Sequence, residues 1–220
     1  MRFAALSLTA LLALSAHSPA LAAETCEFAD DLAQVTGVAV VTGEGRAQFG
    51  ATPDAAGACS GKGCAYLLPG DSVVTGQTSG AAICAGFQSK AGRMTQGWLP
   101  AARLAPAKPA AADWVGYWGE KDRHISIRKA GDQLAIEGGL TYQGLGPVFS
   151  GAFKAKIAAT GPILSFSVDD KGRPVDPAKA EECCRVKLAL VGPLLLVTDQ
   201  GCVGAGSAVT FEGAYTKAKR

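Results

Sequence analysis

The sequence predicts an all-β fold of two small antiparallel barrels with minor helix. Three observations carry that expectation. Short runs rich in Val, Ile, Phe and Tyr alternate apolar with polar residues, 28 glycines punctuate them, and helical periodicity is weak throughout. Alternation is clearest in Ile125-Ser126-Ile127-Arg128, Leu134-Ala135-Ile136-Glu137 and Val209-Thr210-Phe211-Glu212, where each residue sent inward is followed by one sent outward. Helix is expected only near 177–182, with a turn or two within 24–35.

The chain opens Met1-Arg2-Phe3, continues through an apolar stretch over residues 4–14 and reaches Ala20-Leu21-Ala22. A basic start, a short apolar core and a small-residue cleavage site read as a secretory signal peptide over residues 1–23. The apolar stretch is shorter than the roughly 20 residues that span a bilayer. Cys26 does not directly follow the cleavage motif, so the expected product is periplasmic or secreted and is not a lipoprotein. Removing Arg2 leaves 20 basic residues (21 − 1) against 19 acidic ones, scattered along the chain. No clustered basic stripe is present for nucleic acid to follow, so no nucleic-acid partner is expected.

All seven cysteines lie after residue 23. Their spacing does not match the C-x-x-C pairs of zinc sites, so disulfides are expected and neither metal nor cofactor is. An odd count leaves one thiol over, and the adjacent Cys183-Cys184 is where it is expected. The segment 105–112, Ala-Pro-Ala-Lys-Pro-Ala-Ala-Ala, has linker composition and separates four cysteines from three. The expected domains are therefore 24–104 and 113–220. In the first, Cys59–Cys64 closing a tight loop and Cys26–Cys84 pinning the N-terminal extension is the preferred pairing of the three that four cysteines allow.

Within the first domain, Pro69-Gly70-Asp71 is a turn leading into the β-branched Val73-Val74, and Gly97-Trp98-Leu99 places a large aromatic at a strand end. The order of these motifs over residues 46–104 resembles bacterial SH3-like domains, which show a P-G-D-x-V turn into a strand, then G-W-L and a short closing strand. The roughly 20 residues before Arg46 and the extra cysteines depart from that pattern and suggest an added strand or loop. The resemblance implies recognition of a peptide or of cell-wall glycan. Tyr66, Phe87 and Trp98 are the aromatics placed to line such a face; the competing reading is that Phe87 and Trp98 fill the core of a small barrel.

In the second domain, Gly116-x-Trp118 ahead of a run of strands resembles the first-strand signature of lipocalin-type barrels. The far end, Leu195-x-Val197-x-Asp199, Cys202 and Val209-x-Phe211-x-Gly213-x-Tyr215, resembles a pattern of uncharacterised exported proteobacterial proteins, from which Val203 departs. That layout suggests a Cys184–Cys202 disulfide.

No group of residues names a reaction, so a non-catalytic protein is expected. His124 is the one histidine after residue 23, and no G-x-S-x-G elbow accompanies it. Asp169-Asp170-Lys171-Gly172 reads as a hairpin turn and 201–206 as a glycine-rich hairpin loop; the pairs Asp30-Asp31 and Glu181-Glu182 read as solvated acids. Three classes of role follow. The first is an envelope binding module whose partner is cell-wall glycan, peptide or an envelope protein. The second is an inhibitor of a lysozyme or protease presenting a rigid loop at 138–144, with Tyr142, or at 199–207. The third is a carrier of a small apolar ligand in the second barrel.

Overall fold

The computed structural model describes residues 25–28, 32–59, 63–89, 91–143, 148–176, 183–200 and 210–218. The signal-peptide segment, the helix expected over 177–182 and the glycine-rich 201–206 fall outside them. The described chain is mostly strand, with one short α-helix and three 3-10 turns.

In the first half, β1 (Gly37–Val41), β2 (Ala47–Gln48), β3 (Tyr66–Leu67), β4 (Ser72–Ser79), β5 (Ala82–Gln88), β6 (Met94–Pro100) and β7 (Leu104–Pro106) form two sheets. Five strands pair in the order β6-β5-β4-β1-β7, all antiparallel, and β2 pairs with β3. The motif boundary at Arg46 leaves out β1, which sits inside the sheet between β4 and β7. Residues 105–112 are likewise built in: Ala105 and Pro106 belong to β7, and Ala111–Trp114 is the helix α1.

Alternation gives this sheet two apolar faces. Ala39, Val41, Val73, Ala85 and Leu99 turn toward Ala47, Phe49 and Leu67 of the β2–β3 region. Val38, Val74, Cys84 and Trp98 turn the other way, onto Cys26, Phe28, Leu32 and Val35. The Cys26–Cys84 disulfide pins that N-terminal segment, and Cys59–Cys64 closes its own short loop.

The second half has two facing sheets. β8 (Gly116–Glu120), β9 (Arg123–Ala130), β10 (Gln133–Gln143) and β11 (Val148–Ala158) pair as β11-β10-β9-β8. β12 (Ile163–Val168), β13 (Pro174–Val175), β14 (Cys184–Val191), β15 (Leu194–Gln200) and β16 (Gly213–Thr216) pair as β13-β12-β14-β15-β16. Ile125, Ile127, Leu134 and Ile136 of one sheet meet Leu164, Val186, Leu188 and Leu195 of the other, with Trp114, Trp118, Phe153 and Phe211 filling the remaining space.

The two barrels expected from sequence are not closed. In the second half the sheets touch through the isolated bridge Trp118–Lys217 and the Lys154 N to Gly172 O bond of 2.9 Å, not through continuous ladders. The first five-stranded sheet ends at β6 and β7 without pairing them to each other. Alternation predicts a strand through Phe211, but among the described residues β16 starts only at Gly213. Phe211 is nonetheless buried, edge-on to Phe153 at 4.8 Å.

Leu188–Val191 and Leu194–Val197 do not alternate, and they are buried on both faces. One face fills the core between the two sheets. The other, with Ala189, Val191, Leu194 and Leu196, packs against the first half in the same cluster as Trp98. A continuous apolar run needs two covers, and the first half supplies the second one. Lys187 reinforces the junction, donating to Leu32 O at 3.1 Å and Val35 O at 3.2 Å.

Candidate functional site

The exposed aromatic of the first half is Tyr66, on the two-stranded β2–β3 sheet. Strand alternation sends Leu67 into the core and leaves Tyr66 and Leu68 outward, 44% and 52% exposed. The Arg46 guanidinium lies 4.1 Å from the Tyr66 ring centroid. At an exposed site such a cation–π contact contributes about 0.5–1 kcal/mol, enough to bias the ring's orientation while leaving its outer face open. An aromatic, an aliphatic and a cation are thus displayed side by side.

Both flanks of this display are held by hydrogen bonds. Asp71 accepts from Leu68 N at 2.7 Å, and Gly70, at φ +96°, makes the turn that allows it. On the other flank Arg103 donates through Nε to Thr42 O at 2.7 Å and through its terminal nitrogens to Gly45 O and Arg46 O. One guanidinium therefore fixes the loop that carries Arg46. In the sequence Arg103 stands out only as an arginine closing a short turn just after Leu99-Pro100.

The other expected aromatics are elsewhere. Trp98 is fully buried in the cluster shared by the two halves, so it offers no face to a ligand. Phe87 is half-buried against the first-half core. Tyr142 is 53% exposed near the end of β10, in the second half. Among the described residues no ring contact joins Tyr66 to Phe87, Trp98 or Tyr142.

The segment 138–144, expected as a loop, is strand as far as Gln143, paired with β11 throughout and with β9 up to Leu140. Its glycines make room for cross-strand rings: a Cβ on Gly138 would lie 2.3 Å from Phe153 Cε1, and one on Gly139 2.6 Å from His124 Cε1. Asp199 and Gln200, the start of the other expected loop, belong to β15.

The candidate chemistry resolves into structural roles. His124 stacks on Tyr117 with centroids 4.7 Å apart, its Nδ1 3.3 Å from Lys121 O. Asp169 accepts from Lys171 N, Arg173 N and Arg173 Nε at 2.8–3.0 Å, closing the hairpin turn the sequence suggests. The Arg173 side-chain hydrogen bond, followed by its backbone N–H, holds the Asp169 carboxyl below its ordinary range. Cys183 is a buried free thiol; Cys184 is disulfide-bonded, and Cys202, its expected partner, lies outside the described residues. Among the described residues no helix is long and apolar enough to cross a membrane.

No protein-family model, no curated protein and no solved structure matches this chain.

Proposed function

We propose that this chain is a non-catalytic binding protein of the cell envelope, exported to the periplasm or beyond. It recognises an extended peptide or cell-wall glycan through the Tyr66, Leu68 and Arg46 surface of an SH3-like first half. The observation that carries this reading is an exposed aromatic and aliphatic pair clamped on both flanks onto a sheet packed on both faces. A preorganised apolar display of this kind loses little conformational entropy on binding. The P-G-D turn leading into β4 and the short strand β7 that follows Gly97-Trp98-Leu99 support the SH3-like reading. The disulfides fit an oxidising compartment.

A second reading, inhibition of a lysozyme or protease, draws on the β10–β11 hairpin, where Tyr142 and Val148 stand exposed beyond the last buried core residue of β10, Leu140. The carrier reading has less support, because Trp114, Trp118, Phe153 and Phe211 occupy the space between the second-half sheets.

The test is retention of the oxidised protein, without residues 1–23, on purified peptidoglycan sacculi, run beside lysozyme inhibition. Tyr66→Ala should lower its melting temperature by no more than about 4 °C and lose about tenfold in retention, the effect of removing one aromatic anchor. Undiminished retention by Tyr66→Ala would remove this surface from the account. Inhibition without retention would move the function to the hairpin.

A further inference from the structure

The face of β14 and β15 that covers the first half changes character along its length. Beyond Ala189 and Leu196 it becomes polar and forms the floor of a cleft of about 580 Å³, within the size range of small-molecule sites. Strand register organises that floor. Ser165 lies across from Lys187, which lies across from Thr198; Ser167 lies across from Arg185, which lies across from Gln200. Each row combines a hydroxyl, a cation and a further polar group.

Two features separate this cleft from an ordinary solvated strand end. Ser167 and Thr198 are only 5% exposed yet line it, so their polar groups are sheltered and do not sit in bulk water. Lys156, Arg185 and Lys187 line it as well, and among the described residues no acidic side chain does. Lys187 is engaged with Leu32 O and Val35 O. No ion pair to Arg185 or Lys156 occurs among the described residues. Arg185 and Lys156 beside sheltered hydroxyls favour a ligand that brings negative charge and hydrogen-bonding groups together.

We propose that this cleft binds a small hydroxylated organic anion, with its carboxylate or phosphate on Arg185 and its hydroxyls on Ser165, Ser167 and Thr198. The site is separate from the Tyr66 surface and does not depend on it.

Calorimetric titration of the oxidised protein with glucuronate, glucose 6-phosphate and glucose tests the proposal. Both anions should bind saturably, at least tenfold more tightly than glucose, and the tighter of the two identifies the head group. Arg185→Gln should weaken the anions at least tenfold, and Thr198→Val several-fold. Tyr66→Ala should leave the titration unchanged, which distinguishes failure here from failure of the envelope-binding reading. If Thr198→Val does not fold, amide shifts at residues 165, 167 and 198 in the unmodified protein take its place. No saturable binding, equal binding of glucose, an unaffected Arg185→Gln, or shifts elsewhere would each overturn the proposal.

Discussion

Trp98→Ala separates a core tryptophan from a ligand platform by magnitude. Trp98 is fully buried, packed with Val74, Cys84, Phe28 and the β14–β15 face. Truncating a buried tryptophan to alanine costs about 3–5 kcal/mol. For a chain of this size each kcal/mol moves the midpoint by about 2–4 °C, so the melting temperature should fall by about 6–20 °C. Among the described residues Trp98 Nε1 has no hydrogen-bond partner, so Trp98→Phe gives up volume but no hydrogen bond and should cost about 1–2 kcal/mol. Urea denaturation of the oxidised protein, followed by circular dichroism and by the fluorescence of Trp114 and Trp118, measures both variants. Because the cluster spans the two halves, one cooperative transition is expected. A cost below about 1 kcal/mol for Trp98→Ala together with lost sacculus retention would refute the burial argument, and two separate transitions would refute the shared core.

Other perturbations have equally definite outcomes. Replacing Cys26 and Cys84 by serine opens a crosslink of sequence separation 58, which chain entropy values at about 4 kcal/mol; losing Cys59–Cys64 should cost about 2, and thermal melts compare the two. Gly138→Ala drives a methyl into Phe153, which is buried against Phe166 and Phe211, and should cost about 1–3 kcal/mol. Gly139→Ala meets only the half-exposed His124 ring and should cost less by the same denaturation assay. Burial raises the Tyr215 phenol above the ordinary tyrosine value, although Arg123 opposes the shift. A raised folded-state pKa means its contribution to stability is intact below about pH 10 and lost as pH rises through the higher folded value. Absorbance titration should therefore show a tyrosine, absent from Tyr215→Phe, that ionises above the ordinary tyrosine range, with stability falling over the same range.

The parts legible in the sequence were local. Alternation located β9 and β10 because Ile125, Ile127, Leu134 and Ile136 each face one core. The turns at Pro69–Asp71 and Asp169–Gly172 were readable because glycine and aspartate satisfy their backbone needs within four residues. What escaped depends on contacts distant along the chain. Gly138 and Gly139 look like loop residues in one dimension, but they are strand positions kept bare for rings on neighbouring strands. Trp98 could serve as core or as platform until the β14–β15 face was seen to cover it. For the proposed binding surface, Tyr66 was legible as an aromatic candidate. Its stacking partner and the Arg103 clamp were not, since both come from loops that meet only in the fold. The cationic cleft was hidden for the same reason: its six floor residues lie on three strands and converge only through register.

The most direct test of the binding account is a titration of the isotope-labelled, oxidised protein with soluble muropeptides, followed by amide shifts. A contiguous set of shifts at Arg46, Gln48, Tyr66 and Leu68, abolished by Tyr66→Ala, is the expected result. Shifts confined to the β10–β11 hairpin, or saturation with no change around Tyr66, would contradict it.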